Sequence, residues 1–125
     1  MYQKEYQQKL VSAEEAVKVV KSGDIVDYGF FNGKPVECDI ALAARKDELQ
    51  DVQVFSAVTL PPVPEVAKLR GHFTYVDWQF SKIARILQSN YELAYYSPIL
   101  YHQAPSLYRD GIAPHRNVAI CRVAP

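Results

Sequence analysis

Apolar positions fall at helical spacing early in the chain, at Ala13, Ala16, Val17, Val19 and Val20, and Ser22-Gly23 ends the run. This predicts a helix over residues 13–21. Its start is marked by SAEE at Ser12–Glu15, which fits a capping box. In that motif Ser12 accepts from the third amide of the helix while Glu15 reaches back to the cap amide. The run IVDYGF at Ile25–Phe30 predicts a short buried strand. Helical spacing then resumes across Val36–Leu49, where Ile40, Leu42, Ala43 and Leu49 sit among Ala, Arg, Lys and Glu. Pro35 is suited to the first helical position, since its fixed φ fits and its missing N–H is not needed there. Val52–Leu60, VQVFSAVTL, is rich in β-formers and predicts a second buried strand. Two strands joined by a helix form a βαβ unit, which requires a parallel pair and a right-handed crossover.

The second half is more broken. PPVPEVAKLRG reads as a loop with a short helical piece, HFTYVDWQF as a strand or the approach to one, and Ser81–Gln88 as a helix. Leu93–Leu100 and Asn117–Val123 predict two further strands, with PSLYRDGI between them as a short helical or turn segment. Prolines fix the turns between these pieces. Alternating strands and helices predict the α/β class: an open, mostly parallel sheet with helices on both faces. Residues 1–125 read as one domain. The apolar strand NVAICRV comes directly before the end, where domains of this class continue into a covering helix. The expectation is a domain cut at its C-terminus.

Composition narrows the function classes. The 125 residues are 49% hydrophobic and 22% charged, which is globular rather than disordered. Lys+Arg and Asp+Glu each number 14, so no basic field favours nucleic acid as a partner. No apolar run approaches membrane-spanning length, and MYQKEYQQKL lacks the apolar core of a signal peptide. Cys38 and Cys121 lie far apart without a CxxC pattern, which is neither a disulfide framework nor a zinc site. A cytoplasmic domain with reduced thiols is expected.

One connection carries more than a turn requires. Asp27–Pro35 reads DYGFFNGKP, placing two glycines, an asparagine, a lysine and two phenylalanines between the first strand and its helix. Loops at the carboxyl ends of parallel strands are where open α/β sheets bind ligands. Gly29 and Gly33 allow close backbone approach, and the amides opening the next helix favour an anion. Lys34 would reinforce that preference, and Asn32 would donate to a carbonyl oxygen. The competing reading is a plain βα turn, with Asn32-Gly33 left-handed and both phenylalanines in the core. The loop matches neither GxxxxGK[ST] nor GxGxxG. Glu37 and Asp39 are expected only to complement the helix dipole. His72, His102 and His115 lack ligand spacing, so no metal is expected; His102 alone follows a strand that leads toward the site. Trp78, Phe73 and Phe80 read as core. Ser56, Thr59 and Ser106 have no base partner, and no catalytic arrangement is readable.

In order, SAEEAVKVVKSGDIVDYGFFNGKP, ALAARKDELQDVQVFSAVTL, HFTYVDWQFS, YYSPILYHQAPSLYR and NVAICRVAP resemble the acetyl-CoA hydrolase/transferase family. Its members include butyryl-CoA:acetate and 4-hydroxybutyrate CoA-transferases, and the resemblance covers almost the whole chain. It implies transfer of CoA between an acyl-CoA and a small carboxylic acid, with a coenzyme A ester as substrate and no bound cofactor. It also implies a glutamate nucleophile in a C-terminal domain that this chain does not contain, so no catalytic residue carries over. What carries over is one side of the substrate pocket. Gly29, Phe30, Phe31, Asn32, Gly33, Lys34 and Pro35 match a family loop that commonly reads GFGNGQP, with Phe31 in place of the middle glycine and Lys34 in place of glutamine. Val58, Thr59 and Leu60 match a second strand end facing the same cleft. The expected partners are a C-terminal domain or partner chain and a second copy in a homo-oligomer, without nucleic acid or membrane. An exposed apolar face is expected around Phe30, Phe31, Leu60 and Trp78. The alternative function is a stand-alone, non-catalytic module that binds a small acid, a CoA ester or a protein partner.

Overall fold

The computed structural model describes residues 2–91 and 95–123. Five strands form one sheet: β1 Ile25–Phe30, β2 Val52–Ala57, β3 Phe73–Asp77, β4 Tyr95–Tyr96 and β5 Val118–Ala119. Their order is β4-β3-β2-β1-β5, and every neighbouring pair is parallel. The helices are α1 Gln3–Lys9, α2 Ala13–Ala16, α3 Val36–Ala44, α4 Lys82–Tyr91 and α5 Ala104–Arg109.

The alternation of side chains along β1, β2 and β3 sorts them onto two faces. Val26, Tyr28, Val52, Val54, Phe73 and Tyr75 face the main core. There they meet Val17, Val20, Leu42, Val66, Ile83 and Leu87, all buried, from the helical segments laid on that side. The register agrees, since Val26 pairs with Val54 and Val54 with Tyr75. A smaller cluster of Ala57, Trp78 and Ala104, with Ile99 and Tyr108, brings α5 against the carboxyl end of the other face. Helices therefore flank both faces, unequally.

Several boundaries differ from the pattern. Helical structure after Ser12 tightens into a 310 turn at Val17–Val19. Ser12 Oγ accepts from Glu15 N at 3.2 Å, but the Glu15 carboxylate pairs with Lys18 instead of completing the box. α3 stops at Ala44, five residues before Leu49, because Arg45 N and Lys46 N bond three residues back and tighten the last turn. The Arg45 guanidinium meanwhile donates to the carbonyls of Val17 and Val20, capping the helical segment that follows Ser12. Pro35 occupies the N-cap of α3, one position before the expected place, and its carbonyl accepts from Asp39 N. Of the strand expected over 93–100, Leu93 and Ala94 lie outside the described residues and only Tyr95–Tyr96 pairs. β5 is also short, although Asn117 N and Ile120 N donate to Ile25 O and Asp27 O on either side of it. Ala124 and Pro125 lie outside the described residues. α1 was not foreseen, having no periodic apolar face, and it buries no residue.

Candidate functional site

The carboxyl ends of β1 and β2 lie side by side, as the βαβ reading predicts. Phe30 pairs with Ala57, and Ser56 Oγ donates to Gly29 O at 3.3 Å. Both chains leave the sheet through a left-handed residue that is not glycine: Phe31 at φ 50° and Val58 at φ 54°. For a β-branched residue this conformation is an outlier, and it persists only where its surroundings hold it.

At Val58 the holding group is visible. Asp77, at the end of β3, is fully buried, and its Oδ1 accepts from Val58 N at 3.0 Å and Gln79 N at 3.2 Å. Its Oδ2 accepts from Thr59 N at 3.2 Å. Capture of these amides turns β2 aside at Ala57, three residues before the predicted end of the strand. Thr59 is buried and its Oγ1 lies 2.5 Å from the Tyr75 hydroxyl, while Leu60 is half-buried.

At β1, a bulge interrupts pairing between Asp27 and Phe30. Gly29 sits there at φ 68°, its amide donating to Asp27 Oδ1 at 2.6 Å. A Cβ at Gly29 would meet only ordinary contact with Cys121, so its φ, not space, calls for glycine. Phe30 and Phe31 are 39% and 51% exposed. Neither is folded into the core, which decides between the two readings of this loop's aromatic pair. Phe30 packs edge-on to Trp78 at 5.6 Å and against Tyr101 at 5.8 Å. Asn32 is exposed, Gly33 half-buried and Pro35 buried. Trp78 is itself 9% exposed, so it belongs to the second cluster and not to the apolar face expected to be open. Phe80, expected in the core, is 37% exposed and tilts against Tyr96.

Lys34 departs from the expectation that it reinforces an anion site. Its side chain turns inward, and Nζ donates to Leu60 O at 2.6 Å and to Pro62 O. Burial lowers its pKa, against the pull of Asp39. The lysine thus ties the β1 loop to the segment after β2. Asp39 is likewise buried, not a surface acid at a helix start: its carboxylate accepts from Glu65 N at 2.6 Å and touches Val66 N at 3.5 Å. Desolvation raises its pKa, opposed by those two amides. A folded-state pKa above the unfolded value means the native state takes up this proton first as pH falls, so the associated stability is lost as pH rises through the folded pKa. Urea titrations of wild type and Asp39→Asn should therefore diverge with pH. The wild type gains on the variant as pH drops from neutrality toward about 4. An unchanged difference would rule out the raised pKa.

Beyond Val58, an open cleft of about 480 Å³ runs along the carboxyl edge toward β4, lined by Trp78, Phe80, Tyr96, Ile99 and Leu100. A second groove, of about 620 Å³, lies where the strand order reverses between β1 and β5, lined by Val36, Glu37, Cys38, Cys121 and Arg122. Such a switch point is the usual ligand crevice. Here Arg122 N donates to Gly33 O at 2.7 Å, bridging it.

The pattern did not single out Asp77 or Arg116. Arg116 lies 3.5 Å over the Phe55 ring and 4.9 Å over Tyr108, donates to the Tyr108 hydroxyl at 2.6 Å, and has Nε 3.4 Å from Asp27 Oδ2. An acid at the end of the apolar strand FTYVD was the available signal for Asp77; nothing local marked Arg116. His102 and His115 are exposed, and His72 Nδ1 lies 2.9 Å from Lys46 O. Among the described residues no group of three or more His, Cys, Asp and Glu side chains suits a metal, and no helix is long and apolar enough to cross a membrane.

Over residues 1–123 the sequence matches the family described as acetyl-CoA hydrolase/transferase N-terminal domain. It is 39% identical over 127 positions to the butyryl-CoA:acetate CoA-transferase of Anaerostipes caccae, covering 99% of this chain and 28% of that protein. It is 40% identical over 126 positions to the probable butyrate:acetyl-CoA coenzyme A-transferase of Syntrophomonas wolfei subsp. wolfei, covering 96% and 27%. The chain thus spans about a quarter of the length of these curated relatives. In fold it is similar to RipA from Yersinia pestis, with a TM-score of 0.69 and 24% identity over 86% of this chain and 27% of that one. It is also similar to the 4-hydroxybutyrate CoA-transferase from Porphyromonas gingivalis, with a TM-score of 0.61 and 25% identity over 97% and 26%.

Proposed function

The chain belongs to the acetyl-CoA hydrolase/transferase family, matched on its N-terminal domain, and from that premise we propose that it forms one side of the pocket of a CoA-transferase. The reaction moves CoA from an acyl-CoA to a small carboxylic acid. The nucleophilic glutamate comes from a further, C-terminal domain or a partner chain, and this chain alone is inactive. The observation that carries the reading is the pair of left-handed exits at Phe31 and Val58, adjoining at the carboxyl edge of the sheet. Backbone held in costly conformations clusters at ligand sites. In this reading Gly29–Pro35 and Val58–Leu60 shape the pocket, Phe30 and Phe31 exclude water, and no residue here moves a proton or attacks the thioester.

The same reading makes the protein cytoplasmic and homo-oligomeric. The exposed Phe30, Phe31 and Tyr101 support association, since large exposed apolar groups gathered together are uncommon on monomers.

An exchange assay tests the proposal. The polypeptide at its full natural length is expected to move CoA from butyryl-CoA to acetate, and the 125-residue chain to give no turnover. Turnover by the 125-residue chain, abolished by a point substitution within it, would overturn the assignment. Binding of acids without exchange by the full-length protein would favour the non-catalytic module.

A further inference from the structure

Three charged groups near the carboxyl ends of β1 to β3 are already engaged. Lys34 Nζ is bound to the carbonyls of Leu60 and Pro62, Asp77 is bonded to three amides, and Arg116 lies between Phe55 and Tyr108 with Asp27 beside it. Among the described residues, no charged side chain lines the cleft that starts at Val58. Its sides are Trp78, Phe80, Tyr96, Ile99 and Leu100, and its polar side chains include those of Gln79 and Ser81. Ser81 Oγ accepts from Ala84 N at 3.1 Å, which leaves its hydroxyl proton to donate to a ligand oxygen. Arg85 lies behind one wall, its guanidinium 5.9 Å from the Phe80 ring centre and outside the lining.

From this we propose that the cleft is the subsite for the apolar tail of a monocarboxylic acid or acyl group, and that it selects against a second carboxylate. The proposal deepens the CoA-transferase reading and rests on it for the substrate's reacting end. A single oxygen-bearing head meets Ser81 and Gln79 at the rim, while the tail lies against Trp78, Phe80 and Tyr96. At about 480 Å³ the cleft falls in the size range of small-molecule sites and admits tails longer than that of acetate, aliphatic or aromatic. A terminal carboxylate on the tail would lose water without gaining a counter-charge.

Trp78 is the only tryptophan in the chain, so its emission reports the cleft directly. The 125-residue chain is titrated with hexanoate, phenylacetate and succinate. Hexanoate and phenylacetate are expected to change the emission saturably, with succinate about tenfold weaker or more. Phe80→Ala and Tyr96→Ala, at positions 37% and 50% exposed and therefore tolerant of truncation, are each expected to weaken hexanoate about fivefold. The proposal is overturned if succinate binds as well as hexanoate, if Arg85→Gln selectively weakens succinate from parity, or if no acid changes the emission. Butyryl-CoA exchange by the full-length protein with no acid preference in the cleft would sink this inference alone. Acid binding here without any exchange would sink the transferase reading alone.

Discussion

Asp77→Ala is expected to lower the unfolding free energy by about 3–4 kcal/mol, read from urea denaturation at neutral pH. The carboxylate is fully buried and accepts from the amides of Val58, Thr59 and Gln79. A hydrogen bond to a charged group contributes about 1.5–3 kcal/mol, and a buried donor left unpaired costs about 1–3 kcal/mol. Partial hydration of the amides nearest the surface keeps the total below the simple sum. A domain of this size is stable by only about 5–15 kcal/mol, so the variant should be markedly destabilised. Asp77→Asn retains an acceptor and the shape and should lose about 1–2 kcal/mol. A loss below about 1 kcal/mol in the alanine variant would mean that Val58 holds its left-handed conformation without Asp77.

The second large effect is expected at Lys34. Its buried ammonium bonds the carbonyls of Leu60 and Pro62, and its stem lies in the interior. Lys34→Ala removes both donors and leaves a void, for an expected loss of about 2–3 kcal/mol. Lys34→Met keeps the stem and should cost about 1–2 kcal/mol. Hydrogen exchange separates this from a general loss of stability. Amides of residues 58–60 and 63 should exchange faster in Lys34→Ala, while those in the middle of β2 change only as global stability changes. Uniform acceleration across β2 and the loop would show that Lys34 does not tie the two segments together.

Much of the fold was legible along the chain. β1, α3, β2 and α4 were readable because their apolar positions repeat with a period that secondary structure imposes locally. The boundaries that moved did so where a distant side chain competed for the backbone. β2 ends at Ala57 because Asp77, twenty residues later in the chain, captures the next amides. α3 ends at Ala44 while Arg45 reaches back to the turn at Val17–Val20. The candidate site was singled out as an over-furnished loop, yet Lys34 and Asp39 within and beside it read wrongly as surface charges at a helix start. Nothing in residues 34–39 says that the segment after β2 will fold over them and supply carbonyls to the lysine and amides to the acid.

The sequence by itself determined the α/β class, the parallel pairing of β1 with β2 and the family, because periodicity, punctuation and motif order are properties of neighbours in the chain. Only the tertiary structure decided which charges remain available to a ligand. Lys34, Asp77 and Arg116 look alike as charged letters, but their partners lie 18 or more residues away for the lysine's carbonyls, the aspartate's Val58 and Thr59 amides and the arginine's Phe55 and Asp27. Among the described residues, their engagement leaves the cleft beyond Val58 lined by aromatic, aliphatic and neutral polar side chains. Desolvation makes an ionic group find a partner wherever folding brings one, and that partner is fixed by packing rather than by sequence proximity.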